Sequence, residues 1–290
     1  MTDRRLSRGR HVSMIAILLL AGCTSAEEPP FPPNLNVGAT PSSPGWNLRD
    51  DAGNRTGFDH ALTEWLGKEL DFTPVEVDVL TENREHDLRD RRVELVIANY
   101  SITDDRLDEV EIVGPYMITH QGVMVRKGDV GEYRSLNALA GKRVCATTGS
   151  TSLDQIENDL GFNVTKVPKK VYEECRQALH DNEVDVVSTD QLMLYGIAGA
   201  DDGVAVLPDL TFGKEERYGV GLPLGDKVRC ELIREKLRKF LADGLWEQFF
   251  REHFPNLPTR TDKPGDGPLK TYKPDPDRLR ECRSAPSTTR

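Results

Sequence analysis

The sequence predicts an α/β protein of two lobes, each a mostly parallel sheet flanked by helices, joined by two hinge strands. Three observations carry this expectation. Short apolar runs alternate with helical patterns, the alternation occurs twice in succession, and an extended run follows each occurrence.

The first unit reads as strand Leu35–Ala39, helix Asp59–Leu70, strand Val75–Leu80, helix Arg84–Arg91 and strand Glu94–Ala98. The second reads as strand Lys142–Ala146, helix Thr151–Leu160, strand Asn163–Val167, helix Val171–His180, strand Val184–Ser188 and helix Asp190–Ile197. The extended runs are Gln121–Arg126 and Tyr218–Leu222, and the amphipathic helices Lys227–Leu241 and Gly244–His253 bring the chain back to its first lobe. Lobe 1 is therefore expected over 34–120 plus 219–255, and the hinge strands with lobe 2 over 121–218. Beyond them, residues 256–290 are expected to form an extended, proline-rich tail with a short helical piece around Asp277–Arg283.

The start of the chain differs from the rest. Arg4, Arg5, Arg8 and Arg10 precede an apolar run from Val12 to Leu20, which is followed by Leu20-Ala21-Gly22-Cys23. This is a secretory signal in its usual three parts, and its apolar run falls far short of the roughly 20 residues that span a bilayer. Residues 1–22 are expected to be removed, and residues 23–33, with Pro-Pro-Phe-Pro-Pro, to form a stiff stalk. Removal takes the formal charge from −10 to −13, because the leader carries four arginines and Asp3. So acidic a chain has no general attraction for nucleic acid or anionic lipid.

With Cys23 set aside, Cys145, Cys175, Cys230 and Cys282 remain, an even number in an oxidising compartment. Two disulfides are expected, the alternative being buried free thiols. Of three possible pairings, Cys145–Cys175 with Cys230–Cys282 keeps each bridge within one region of the chain.

Ligands of open α/β sheets sit beyond the carboxyl ends of strands. Those places are Thr40–Trp46, Asn99–Arg106, Thr147–Ser152 and Ser188–Asp190. Ser101, Thr103 and Arg106 follow a strand, where a guanidinium can grip a carboxylate with two parallel bonds and hydroxyls complete the oxygen shell. A surface arginine paired with Asp104, Asp105 or Asp108 is the alternative. Gly149-Ser150-Thr151-Ser152 opens a helix and offers its unpaired N–H groups to an anion. Asp190 could cap the helix it opens or, with Thr189 beside it, face an ammonium group; set opposite Arg106 it would match a zwitterion charge for charge. Trp46 could cover a ligand side chain from its loop or pack on its own domain. Thr147, Thr148 and Thr189 offer hydroxyls, which suit an amide ligand, whereas an acidic ligand needs a second cation, for which Arg49 is the nearby candidate.

In that order the chain carries Gly57-Phe58-Asp59, Tyr100-Ser101-Ile102-Thr103 with Arg106, Gly114-Pro115-Tyr116, Gly149-Ser150-Thr151-Ser152, Val184-Asp185 leading to Thr189-Asp190, and Tyr218-Gly219-Val220-Gly221-Leu222. It resembles the family of polar amino-acid-binding proteins of ABC importers over roughly residues 35–255. The resemblance implies a two-lobe, type II periplasmic-binding-protein fold, with Arg106, Ser101 and Thr151 on the ligand α-carboxylate and Asp190 on its α-ammonium. Leu-Ala-Gly-Cys23 resembles a bacterial lipobox, which implies acylation of Cys23 and anchorage at the outer face of a membrane. Lys142-Arg143-Val144-Cys145 with Glu174-Cys175 resembles the glutamate-binding branch, in which these cysteines form a bridge. Asn99, where many relatives have glycine, departs from the pattern.

The expected function is capture of a free amino acid, glutamate first and glutamine, aspartate or asparagine next, by a monomer that delivers it to ABC permease subunits; a sensor lipoprotein reporting to a membrane receptor or kinase is the alternative. No metal or cofactor is expected. A secreted dehydratase or hydrolase on the same fold is the enzyme alternative, and it is not expected: His11, His60, His86, His120, His180 and His253 lack metal-ligand spacing, and neither Gly-x-Ser-x-Gly nor an activated cysteine is visible.

Overall fold

The computed structural model describes residues 29–255, 257 and 267–283. The leader and Cys23 lie outside the described residues. In chain order the elements are β1 (Asn34–Ala39), β2 (Leu48–Arg49), β3 (Arg55–Thr56), α1 (Phe58–Leu70), β4 (Thr73–Asp78), α2 (Arg84–Arg89), β5 (Leu95–Val96), α3 (Asp104–Glu109), β6 (Val110–Arg126), β7 (Arg143–Thr147), α4 (Thr151–Asp159), β8 (Thr165–Lys169), α5 (Tyr172–His180), β9 (Val186–Asp190), α6 (Gln191–Gly199), β10 (Val204–Val206), β11 (Phe212–Pro223), α7 (Lys227–Ala242), α8 (Leu245–His253) and α9 (Pro268–Tyr272).

The main sheet runs β4-β1-β5-β11-β6-β9-β7-β8, with β10 beside β6. The strands β4, β1 and β5 are parallel to one another, as are β9, β7 and β8. Between these groups lie β11 and β6, antiparallel to each other and to the strands they meet. The result is the two-lobe α/β architecture the sequence predicts. The extended run at Gln121–Arg126 is the end of a much longer strand: the start of β6 pairs with β11 from Val110 to Val113, and its end pairs with β9 from Gln121 to Met124. One strand thus serves both lobes. Register irregularities in β11, between Phe212 and Glu215 and between Tyr218 and Val220, leave the pair room to bend.

Side-chain alternation explains the cores. In lobe 2, Val144 and Val186 face a cluster with Ile156, whereas their neighbours Cys145 and Val187 face Leu179 and Leu194 on the other side of the sheet. Strands covered on both faces need continuous apolar runs, which is how these segments read. In lobe 1, α1 presents Phe58, Leu62 and Leu66 to Leu35 and Val37 of β1 and to Phe240 and Trp246. Cys145 bridges Cys175, tying β7 to α5, and Cys230 bridges Cys282, tying α7 to the chain's end.

Two terminal expectations change. Phe31 is buried, 5.3 Å from the ring of Phe72 and under the guanidinium of Arg229, whose Nε donates to the Pro30 carbonyl at 2.6 Å. Residues 30–33 therefore pack on lobe 1 and are not free stalk, because an aromatic ring between prolines gains more from burial than from exposure. The described part of the tail also packs. Its helix lies at Pro268–Tyr272, and the expected piece near Asp277 is a 3₁₀ turn at Pro276–Arg278. Tyr272, Leu279 and Cys282 are buried against lobe 1.

Candidate ligand-binding site

The connections that leave the carboxyl ends of β1, β4, β5, β7 and β9 converge on a cavity of about 300 Å³ between the lobes. Of the residues singled out in the sequence, Ser101, Arg106, Thr147, Ser150, Thr151, Thr189 and Asp190 line it.

Arg106 owes its place to Thr103, whose hydroxyl accepts the Arg106 N–H at 3.3 Å and so begins α3. Thr103 itself does not line the cavity; it positions the arginine. The Arg106 guanidinium donates to the Ser101 carbonyl and to the Gly149 carbonyl, each at 2.9 Å, and its Nε meets Glu85 at 3.1 Å. Ser101 belongs to lobe 1 and Gly149 to lobe 2, so the lobes are closed on each other.

The Tyr100 ring holds a second guanidinium beside the first. Arg84 lies 5.6 Å from the ring centre and Arg106 5.1 Å. Arg84 is 4% exposed, lines the cavity, has no partner at Nε, and has no carboxylate within ion-pair distance among the described residues. Burial, reinforced by the nearby Arg106 charge, lowers its pKa. Two buried guanidinia thus share one ring, one of them paired with Glu85 and the other without a carboxylate partner among the described residues.

Asn99 sits at φ +50°, in the left-handed region where asparagine is among the few non-glycine residues tolerated. Its N–H donates to Asp59 Oδ2 at 2.9 Å, and the Tyr116 hydroxyl donates to Asp59 Oδ1 at the same distance. Asp59 is wholly buried, and loss of water around it pushes its pKa up to about 7. The Asn99 side chain is left facing the cavity with neither its oxygen nor its nitrogen bonded.

Asp190 ends β9 without capping α6. Its Oδ2 accepts from the Tyr218 hydroxyl and its Oδ1 has no partner. Burial, with the Glu216 charge nearby, holds its pKa well above the usual carboxylate range. An uncompensated buried carboxylate is unfavourable until a cation reaches it.

Two sequence candidates lie elsewhere. Trp46 is wholly buried in the lobe 1 core, 6.0 Å from Phe58, 5.4 Å from Tyr218 and 5.0 Å from Phe254 by ring centres. Its carbonyl accepts the Asp59 N–H at the start of α1, and Gly57, at φ +127°, packs directly on its backbone, which draws the ring inward. Its neighbours Pro41–Pro44 line the cavity instead. Arg49 is half exposed and pairs with Asp78 at 3.0 Å, and it is Arg84, not Arg49, that lines the cavity beside Arg106. In the sequence, Arg84-Glu85-His86-Asp87 reads as a solvated charged helix, which hides Arg84. The signal was its position just after the strand that became β4, the same rule that found the other loops.

The chain matches the model of bacterial extracellular solute-binding proteins, family 3, over residues 35–256. It is 28% identical over 232 residues to the glutamate-binding protein GluB of Corynebacterium efficiens, covering 76% of this chain and 78% of that protein. It is 25% identical over 208 residues to the ABC transporter glutamine-binding protein GlnH of Bacillus subtilis, covering 69% and 73%. Among solved structures, an ancestral arginine-binding protein bound to glutamine superposes with a TM-score of 0.71 at 25% identity, covering 78% of this chain and 100% of the other. The parallel strand groups, the paired crossing strands and the cleft between them accord with these matches, and the chain belongs to the bacterial extracellular solute-binding proteins of family 3.

Proposed function

We propose that this protein captures a free amino acid between its lobes, glutamate first, and hands it unchanged to an ABC importer from the outer face of a membrane, where acylated Cys23 holds it. One observation carries the reading. Thr40 Oγ1, Arg84 Nε, both polar atoms of the Asn99 side chain, Thr147 Oγ1 and Asp190 Oδ1 are buried, unbonded and part of residues lining one cavity. Leaving such atoms unsatisfied costs about 1–3 kcal/mol each, so the closed cavity suits a small ligand rich in donors and acceptors. Arg106 would take the α-carboxylate, Asp190 the α-ammonium and Arg84 a side-chain carboxylate, the complement of a glutamate zwitterion.

A thermal-shift screen of the mature protein with the twenty amino acids tests this directly, since a ligand of the folded state raises the melting temperature by mass action. Glutamate is expected to give the largest rise; no rise with any amino acid would end the proposal.

Arg84→Gln is expected to weaken glutamate binding by about thirtyfold, roughly 2 kcal/mol, and glutamine binding by less than about threefold. Equal losses in calorimetry would show that Arg84 does not read the side chain. Asp190→Asn is expected to weaken either ligand by about 2 kcal/mol. Burial raises the Asp190 pKa in the closed cleft and a ligand ammonium would lower it again, so binding is expected to favour loss of a proton and affinity to fall as pH is lowered. That pH dependence should be absent in Asp190→Asn.

A further inference from the structure

The family match ends at residue 256, yet the described residues 267–283 are firmly attached to the lobes. One end is fixed to lobe 1. Cys282 is bonded to Cys230, and Arg280 and Arg283 both reach Glu111 of β6, whose side chain is 1% exposed. The Arg280 N–H donates to the Gly114 carbonyl at 2.7 Å and Arg283 Nη2 to the Val110 carbonyl at 2.9 Å. These contacts grip the first third of β6.

The other end reaches the far side of the hinge. The Tyr272 ring stacks 5.8 Å from Phe250 of α8, and Lys273 pairs with Glu247 of the same helix. From there the Tyr272 hydroxyl donates to Gln191 Oε1 at 3.1 Å. Gln191 is buried, opens α6 directly after Asp190, and donates its own Nε2 to the Pro208 carbonyl at 2.9 Å. It also backs onto the second half of β6, where a Cβ on Gly122 would lie 3.0 Å from its Cα. The segment therefore grips β6 before the bend and α6 after it.

We propose that residues 267–283 form a strap across the hinge that favours the closed state, with Tyr272 as the positioning residue that holds Gln191, and through it the Asp190 end of α6, against lobe 1. Opening the cleft turns α6 away from α8. A strap fixed by a disulfide and two arginines cannot follow, so the Tyr272–Gln191 bond belongs to the closed state and is lost on opening. A contact present in one state alone shifts the equilibrium toward that state and slows ligand release more than it changes capture.

Tyr272→Phe removes the hydroxyl and keeps the ring against Phe250. In the full mature chain, stopped-flow fluorescence is expected to show glutamate released about fivefold faster, with association changed less than about twofold. Gln191→Met should have the same effect, and the double variant should be no faster than either single one, as for two partners of one contact. The release measurement rests on the amino-acid reading, so a second measurement stands apart from it. Spin labels at Asp51→Cys and Thr165→Cys, exposed sites on the two lobes, report the distance across the cleft without ligand. Tyr272→Phe should raise the share of long distances. An unchanged distance distribution, or an unchanged release rate with only a lower melting temperature, would make the segment a stabilising appendage and overturn the proposal. Absence of any amino-acid binding would refute the capture reading and leave the label distances to decide the strap.

Discussion

Arg106→Ala is expected to reduce amino-acid affinity by about a thousandfold, on the order of 4 kcal/mol, while the folded protein persists. The guanidinium touches both lobes: it donates to the Ser101 carbonyl of lobe 1 and the Gly149 carbonyl of lobe 2, and it lines the proposed carboxylate seat. Its removal takes away both the proposed bidentate partner of the ligand and a contact of the closed cleft. Arg106→Lys keeps the charge but not the planar fork, and should recover no more than about a tenth of the lost affinity. Calorimetry with glutamate gives the affinities and circular dichroism checks the fold. Affinity within threefold of the wild type in a folded Arg106→Ala would remove Arg106 from the site.

Asp59→Asn is expected to stabilise the unliganded protein by up to about 4 kcal/mol at pH 8 and to leave it unchanged at pH 4. Burial raises the Asp59 pKa from 3.8 in its ordinary range to about 7 in the fold. Below pH 4 the carboxyl is protonated in both folded and unfolded chains and contributes nothing. Between about pH 4 and pH 7 the unfolded chain gives up the proton and the folded chain keeps it, so stability falls as pH rises through this window. Asparagine has no proton to lose and preserves the geometry: its oxygen can accept the Asn99 N–H and its nitrogen can donate to the Tyr116 hydroxyl. Denaturant titrations of both proteins from pH 4 to pH 8 should diverge with rising pH. Parallel curves would show that Asp59 is ionised in the fold throughout.

The buried carboxylate has a positional consequence. Asp59 opens α1 and takes the Asn99 N–H, which fixes a left-handed backbone at the edge of the cavity. A cost in lobe 1 stability thereby places two unbonded polar atoms where a ligand would meet them.

The periodicity of the chain was enough for the order of strands and helices, because a strand covered on both faces must be apolar throughout and a covering helix must be amphipathic. It also placed four loops at the carboxyl ends of strands, and Arg106 and Asp190 within them, because a lone cation or anion in a polar turn stands out. Boundaries moved by about two residues where pairing decided them, as at β9, which runs to Asp190 because Gln121 of the crossing strand pairs with it. Trp46 was ambiguous, since an aromatic residue in a loop satisfies both a core and a cleft; the backbone contact with Gly57 decided it.

Local spacing alone carries the two-lobe α/β architecture, the even set of cysteines and the charge pair expected to meet a zwitterion. The spatial fold alone sets Arg84 beside Arg106 across the Tyr100 ring, leaves Asp190 with its helix uncapped and one oxygen unbonded, and brings Tyr272 of the tail to Gln191. The physical reason is common to all three. Burial and the absence of a partner are properties of what surrounds a side chain in space, and residues far apart in the chain supply those surroundings.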